Sequence, residues 1–61
     1  MKFSELKKIL KDNGCYLDRN GSNHEVWYSP ITNSYFSVGR HNTEDAKTGT
    51  VYGILKKAGI K

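Results

Sequence analysis

The sequence predicts an α+β fold in which two helices lie on one face of a three-stranded antiparallel sheet. Two segments near the ends of the chain repeat apolar residues at the spacing of an amphipathic helix. Between them, short runs rich in aromatic and β-branched residues are separated by turn residues, which is typical of neighbouring strands. Both helical stripes become buried in a single core if the helices share one sheet face. The predicted order is therefore α-β-β-β-α.

The first helix is predicted over residues 4–13. Its apolar positions recur at helical spacing and are Phe3, Leu6, Ile9 and Leu10. Ser4 is a suitable N-cap, and Gly14 stands where a left-handed residue would end the helix. The polar side carries Lys7, Lys8 and Lys11. These lysines are expected to face solvent, with one or two as candidates for phosphate contact.

The first strand is predicted from Cys15 to Arg19. Small or apolar residues alternate there with polar ones, so Cys15 and Leu17 are expected to point inward and Arg19 to lie near the edge. Asn20 and Gly21 supply the turn signal that follows.

The second strand is predicted over residues 24–28. Its alternation places His24, Val26 and Tyr28 on one face and Glu25 and Trp27 on the other. Aromatic groups on both faces leave open which face meets the helices. Pro30 ends this strand because it cannot donate to a central ladder, and the third strand is predicted over residues 35–38.

A loop and a second helix complete the chain. Residues 39–47 lack apolar periodicity, and a loop this long in a small domain often carries function. Thr48 or Thr50 is expected to cap the helix, and Gly59 lies just past its end. The apolar face of the helix carries Val51, Ile54, Leu55 and Ala58. Gly53 costs about 1 kcal/mol relative to alanine, so either tertiary packing supports this helix or another group approaches its backbone closely.

Size and charge limit the class of protein. The 61 residues suit one domain, residues 1–61, and carry a net charge of +4. A small basic domain attracts polyanions, so nucleic acid and acidic proteins are the leading partner classes. The lone Cys15 cannot form an internal disulfide, so a reduced cytoplasmic setting is expected. The spacing of Cys15, His24 and His41 matches no metal-binding motif, and no metal or other cofactor is expected. Neither a signal peptide nor a membrane span is expected.

A tight polar turn, Gly21 to His24, delivers a histidine to the start of the second strand. Gly21 can adopt the positive φ that hairpin turns often need, and Ser22 and Asn23 can hydrogen-bond locally. By this local pattern alone, the favoured interpretation is a plain hairpin in which His24 is an ordinary strand residue.

Several segments along the chain together change that interpretation. They are Ser4-Glu5-Leu6 with Leu10, Gly21-Ser22-Asn23-His24, Gly49-Thr50, and Ile54-Leu55-Lys56-Lys57-Ala58-Gly59. At these separations they resemble the HicA family of toxins from type II toxin–antitoxin modules, and the resemblance covers essentially the whole chain. The segment Val38-Gly39-Arg40-His41 also looks like a basic, histidine-containing segment that follows the third strand in some members.

The resemblance implies a double-stranded-RNA-binding-domain-like fold, ribonuclease activity on messenger RNA (mRNA), and neutralisation by an antitoxin of the HicB type. It also implies that His24 is catalytic. Many family members have two adjacent histidines in this turn, whereas this chain has Asn23 followed by His24.

RNA carries its own nucleophile, the 2′-hydroxyl, so cleavage needs no metal if a side chain removes that proton near neutral pH. Histidine has a suitable pKa, and Glu25, beside it in the sequence, or a backbone carbonyl could set its tautomer. We expect His24 to act as general base, or as general acid toward the leaving 5′-oxygen, with a 2′,3′-cyclic phosphate as product. His41 is the chemical candidate for the second proton transfer, although the sequence does not show that it lies near His24.

The substrate-binding residues expected around this histidine are Ser22, Asn23, Arg19, Arg40, His41 and Lys47. Among them, the cationic side chains would stabilise the transition-state charge, although each alone is more often a surface charge. Tyr28 and Tyr35 could stack on unpaired bases, and so could Trp27, for which core burial is the favoured prediction. A noncatalytic RNA-binding or partner-binding module with the same basic surface is the alternative function.

Overall fold

The computed structural model of the protein describes residues 1–60 and has the predicted α-β-β-β-α order. The helices are α1 (Phe3–Asp12) and α2 (Thr48–Ala58), and the strands are β1 (Tyr16–Asn20), β2 (His24–Ser29) and β3 (Ser34–Gly39). The strands form one antiparallel sheet in the order β1-β2-β3. The α+β class is confirmed, and the architecture is consistent with a double-stranded-RNA-binding-domain-like fold. Within residues 1–60, neither helix is long and apolar enough to cross a membrane.

The sheet face that carries Trp27 meets the helices, which answers the question that the sequence left open. Trp27 is only 2% exposed, as expected for a core residue. Its cross-strand neighbour Phe36 is buried as well, and so is Val38, which lies opposite Glu25. The rest of the core cluster is Leu6, Leu10, Cys15, Ile54, Leu55 and Ala58. The opposite face of the sheet, which carries His24, points away from this core.

Strand β1 departs from the predicted pattern. Leu17 lies opposite Trp27, so it faces the helix side as predicted, but it is 40% exposed and is not part of the core. β1 is an edge strand whose residues are all exposed. A shift in register between Leu17 and Arg19 then places Arg19 opposite Val26, on the outer face. The predicted burial of Cys15, just before the strand, is confirmed.

Helix α1 begins one residue earlier than predicted because its first turn is held from outside the helix. Its N-cap is Lys2 rather than Ser4. The carboxylate of Glu5 accepts a hydrogen bond from the backbone N–H of Lys2 at 3.0 Å. Ser4 instead donates its backbone N–H to the carbonyl of Asn42 at 3.1 Å. A tertiary hydrogen bond therefore satisfies a donor that a side-chain cap would otherwise serve.

The segment from residue 40 to residue 47 owes its length partly to a structural role. It runs back along the N-terminus, where Lys2 and Asp45 form an isolated antiparallel bridge. The backbone N–H of Ala46 donates to the carbonyl of Met1 at 2.8 Å, and the Ala46 side chain is buried. This loop is therefore anchored to the N-terminal segment, from Asn42 to Ala46, and its first two residues follow directly from the strand beside His24.

Helix α2 ends as predicted and begins differently. Gly59 has a φ of +80°, and the N–H of Ile60 donates to the carbonyl of Leu55 at 3.0 Å, which is a Schellman-type ending. The N-cap is Lys47, with no side-chain hydrogen bond to the first turn, so the expected threonine cap is wrong. A Cβ added at Gly53 would meet nothing within 4 Å, so packing of the apolar face, rather than a close approach, explains how the helix tolerates this glycine.

Candidate functional site

The turn from Gly21 to His24 is tight because of a close backbone contact. The N–H of Gly21 donates to the carbonyl of His24 at 2.7 Å. A Cβ added at Gly21 would lie 2.7 Å from that same oxygen, so a side chain cannot fit without a shift of the turn. Gly21 is not among the residues with positive φ, so the turn requires glycine for space rather than for a left-handed backbone. His24 leaves this turn as the first residue of β2, opposite Gly39, and is exposed.

Glu25 does not share the environment of His24. Successive strand residues point to opposite faces, and the Glu25 carboxylate lies on the helix side. There its Oε1 is 2.9 Å from Lys7 Nζ and accepts a hydrogen bond from Trp27 Nε1 at 3.0 Å. The ammonium of Lys7 also donates to Asn42 Oδ1 at 2.5 Å. The Glu25 carboxylate therefore lies on the opposite side of the sheet from the imidazole, and the suggestion that Glu25 sets the His24 tautomer is wrong.

The prediction that the lysines of α1 face solvent is wrong for Lys7, which is only 7% exposed. The sequence did contain a signal for this: Lys7 is four residues after Phe3 and three before Leu10, so it stands on the apolar stripe of α1. A lysine on such a stripe needs a partner when the stripe is buried. Glu25 supplies that partner from β2.

The pKa of Glu25 reflects this pairing. Partial burial acts to raise it, but the hydrogen bonds from Lys7 and Trp27, together with the positive charges of Lys7 and Arg40, outweigh burial and hold the pKa of Glu25 below its ordinary value. The carboxylate therefore stays ionised at neutral pH, which is the state that the ion pair with Lys7 requires.

Arg40 joins the end of β3 to the turn. Its Nη1 donates to the backbone carbonyl of Ser22 at 2.8 Å. This hydrogen bond places Arg40 next to the turn that contains Ser22, Asn23 and His24. His41 is exposed and comes two residues after Gly39, the partner of His24 in the ladder. Strand geometry keeps the Cα atoms of the two histidines within about 13 Å of each other.

The other two predicted cations are placed differently. Arg19 lies on the same sheet face as His24, with its exposed guanidinium 3.6 Å from the carboxylate of Asp18. Lys47 lies at the start of α2. Among residues 1–60, no hydrogen bond or ion pair joins Lys47 to the turn. The same residues contain no cluster of three or more His, Cys, Asp or Glu side chains able to hold a metal ion.

A row of tyrosines on the outer face was not identified as a unit from the sequence. Tyr16, Tyr28 and Tyr35 come from the three strands and lie side by side across the sheet. Only the strand register reveals the row, and the register of β1 depends on an irregularity that no turn motif marks.

The comparisons with known proteins bear on the whole chain. A family model described as "HicA toxin of bacterial toxin-antitoxin" matches residues 3–60 of the 61. Comparisons with curated proteins and with solved structures found no match. The family match includes both helices, the sheet and the turn that carries His24. The chain therefore belongs to the HicA family and is a toxin of a bacterial toxin–antitoxin system.

Proposed function

We propose that this toxin is a metal-independent endoribonuclease that cleaves mRNA, with His24 as its catalytic residue. One observation carries the proposal: an exposed imidazole stands at the exit of a tight hairpin, beside an arginine fixed to the same turn. An exposed histidine on an open sheet face can reach a polynucleotide backbone, which a core histidine cannot.

The proposed reaction is an internal attack within the RNA. His24 removes the proton from the 2′-hydroxyl, whose oxygen attacks the adjacent phosphorus while the bond to the 5′-oxygen breaks. The products are a 2′,3′-cyclic phosphate and a free 5′-hydroxyl, which takes up a proton. In the reverse assignment, His24 donates that last proton and another group takes the first one.

Arg40 is the best placed cation for the charge that develops on the phosphate. Guanidinium has five N–H donors, of which one bonds to the carbonyl of Ser22. The others would bind the nonbridging oxygens of the transition state. Ser22 and Asn23 would contact the same phosphate or its neighbours, and His41 is the candidate for the second proton transfer.

The proposed partner is an antitoxin of the HicB type that covers His24 and so blocks access of RNA. The proposed site of action is the cytoplasm, where mRNA is translated. The alternative is a noncatalytic RNA-binding or partner-binding module, which the positive charge of the chain also supports.

A cleavage assay with His24→Ala separates these functions. General acid–base catalysis contributes roughly 10²- to 10⁴-fold to a rate, so we expect a loss of that size in cleavage of a single-stranded RNA, and relief of growth arrest in cells. Circular dichroism should show an unchanged fold. Cleavage by His24→Ala at the original rate would remove His24 from the mechanism.

Two further arms complete the assay. Excess EDTA should leave the rate of the unmodified protein unchanged, and a loss would contradict metal independence. RNA that is bound but never cleaved by the unmodified protein would establish the noncatalytic alternative. His41→Ala, a loop variant, should slow cleavage if His41 transfers the second proton, and should have no effect if another group does.

A further inference from the structure

The outer face of the sheet presents three aromatic rings in a row. Tyr16 lies opposite Tyr28, and Tyr28 lies opposite Tyr35. The ring centroids of the first pair are 5.4 Å apart and those of the second pair 4.9 Å, with the rings tilted by 49° and 54°. Tyr28 is four residues after His24 in β2, so the row and His24 are on the same face.

Two of these rings are largely open to solvent. Tyr16 is 52% exposed and Tyr35 is 59% exposed. The hydroxyl of Tyr28, in the middle, donates to Asn33 Oδ1 at 2.5 Å, which fixes the orientation of that ring. Cross-strand packing explains why the rings touch. It does not explain two large aromatic groups that keep more than half of their area in water on a helix-free face.

The charge on this face suits a polyanion. Arg19 lies opposite Val26, between the tyrosine row and the His24 end of the sheet, and Arg40 lies beyond that end. The acidic neighbour on this face is Asp18, 3.6 Å from Arg19. Glu25 is directed to the other face and is paired with Lys7, so it does not oppose a bound phosphate. The chain as a whole carries +4.

We propose that Tyr16, Tyr28 and Tyr35 form a stacking platform for unpaired bases, and hence that the substrate of this toxin is single-stranded RNA held across the open sheet face. The proposal builds on the ribonuclease function proposed above and specifies the form of its substrate. Aromatic side chains stack on bases that are splayed out of a helix, whereas a duplex offers only base edges and backbone.

The tyrosine platform lies to one side of His24 along β2. Four strand residues span about 13 Å, so the bases stacked on the tyrosines lie a few nucleotides to one side of the phosphate at His24. Arg19, between them, is placed to contact the intervening backbone. Cleavage should therefore require unpaired nucleotides on that side of the cleaved bond, over and above the nucleotide that supplies the 2′-hydroxyl.

The test is binding of a fluorescein-labelled 2′-O-methyl RNA of twelve nucleotides, measured by anisotropy. This probe lacks the 2′-hydroxyl, so it cannot undergo internal attack whichever residue is catalytic. Tyr35→Leu should weaken binding by roughly 5- to 150-fold, as expected for the loss of one base–aromatic stack. The matched control is Tyr52→Leu, because Tyr52 is similarly exposed, at 58%, but lies on α2 and not on the sheet. The RNA affinity of the Tyr52→Leu protein should change by less than about twofold.

Two further variants and a duplex probe serve as controls for this binding assay. Tyr35→Phe keeps the ring and should restore the affinity that Tyr35→Leu loses. If Tyr35→Leu does not fold, Tyr16→Leu on the edge strand takes its place, with the same expected loss. The single strand should bind more tightly than a duplex of the same sequence.

Equal binding by the Tyr35→Leu and Tyr52→Leu proteins, or equal binding of duplex and single strand, overturns the platform. Unchanged RNA affinity with lost inhibition by the antitoxin would instead identify the row as a protein interface. The outcome is independent of the His24 assay, since persistent cleavage by His24→Ala would leave the binding result standing.

Discussion

The two faces of the sheet differ most sharply at neighbouring residues of β2. Glu25, on the helix side, is paired with Lys7 and bonded by Trp27. His24, on the outer side, is exposed. Alternation along one strand thus separates a charge that is paired within the fold from an imidazole that is open to solvent. The difference predicts that stability and cleavage respond to different substitutions.

The largest expected effect on stability is from Lys7→Ala. It leaves the partly buried Glu25 carboxylate without its cation, and breaking a buried pair in this way costs about 3 kcal/mol of unfolding free energy. Urea denaturation measures it. Lys8→Ala, at the exposed neighbouring lysine, and His24→Ala, on the outer face, should each change the unfolding free energy by less than about 0.5 kcal/mol. A Lys7→Ala protein as stable as Lys8→Ala would show that the pair contributes nothing.

Gly21→Ala should have the next largest effect, because it changes the turn that positions His24 on the outer face of the sheet. The new Cβ would collide with the carbonyl oxygen of His24, 2.7 Å away, so the turn must shift. We expect a loss of about 1–2 kcal/mol and a fall in cleavage beyond any loss of folded protein. The measurements are urea denaturation and initial cleavage rates at equal folded concentration. Full activity in Gly21→Ala would mean that the position of His24 is not critical.

A smaller effect should appear in the pH dependence of stability. The folded-state pKa of Glu25 is lowered, so its contribution is fully present above the unfolded value of about 4.3 and is lost as the pH falls through the folded value. The stability difference between the unmodified protein and Glu25→Gln should therefore be constant near neutral pH and shrink below about pH 4. Urea midpoints between pH 7 and pH 3 test this. A difference that stayed constant down to pH 3 would show that the pairing does not lower the pKa of Glu25.

The smallest expected effect is that of Gly53→Ala, which tests whether the exposed side of α2 also contributes to cleavage. Gly53 lies on the exposed side of α2 with nothing near an added Cβ. Gly53→Ala should raise the unfolding free energy by up to about 1 kcal/mol and leave cleavage unchanged. Thermal unfolding and the cleavage assay provide the measurements. Lost cleavage without lost stability would extend the RNA-binding surface to this helix and weaken the contrast between the two sheet faces.

Local patterns in the sequence were enough to predict the fold class. The stripe containing Leu6 and Leu10, the turn residues and Gly59 each act over a few residues, and each was found where it was expected. The faces of β2 also followed from alternation. The choice of the buried face did not, because it depends on which aromatic group the helices cover.

The candidate site was predictable only in part for the same reason. The turn is local, so Ser22 to His24 could be identified in the sequence. The contact of Arg40 with Ser22, the pairing of Lys7 with Glu25 and the tyrosine row all join residues that are distant along the chain. Such contacts depend on strand register and helix placement, which no short motif specifies.

The irregularity in β1 has a consequence for solubility. A sheet of three strands has two edges, and an edge strand offers unpaired N–H and C=O groups to any other extended chain. In β1 the shift between Leu17 and Arg19 interrupts the regular spacing of those groups. A fourth strand could not continue the ladder in register along the full length of this edge. The bulge thereby discourages two copies of the toxin from joining their sheets through β1.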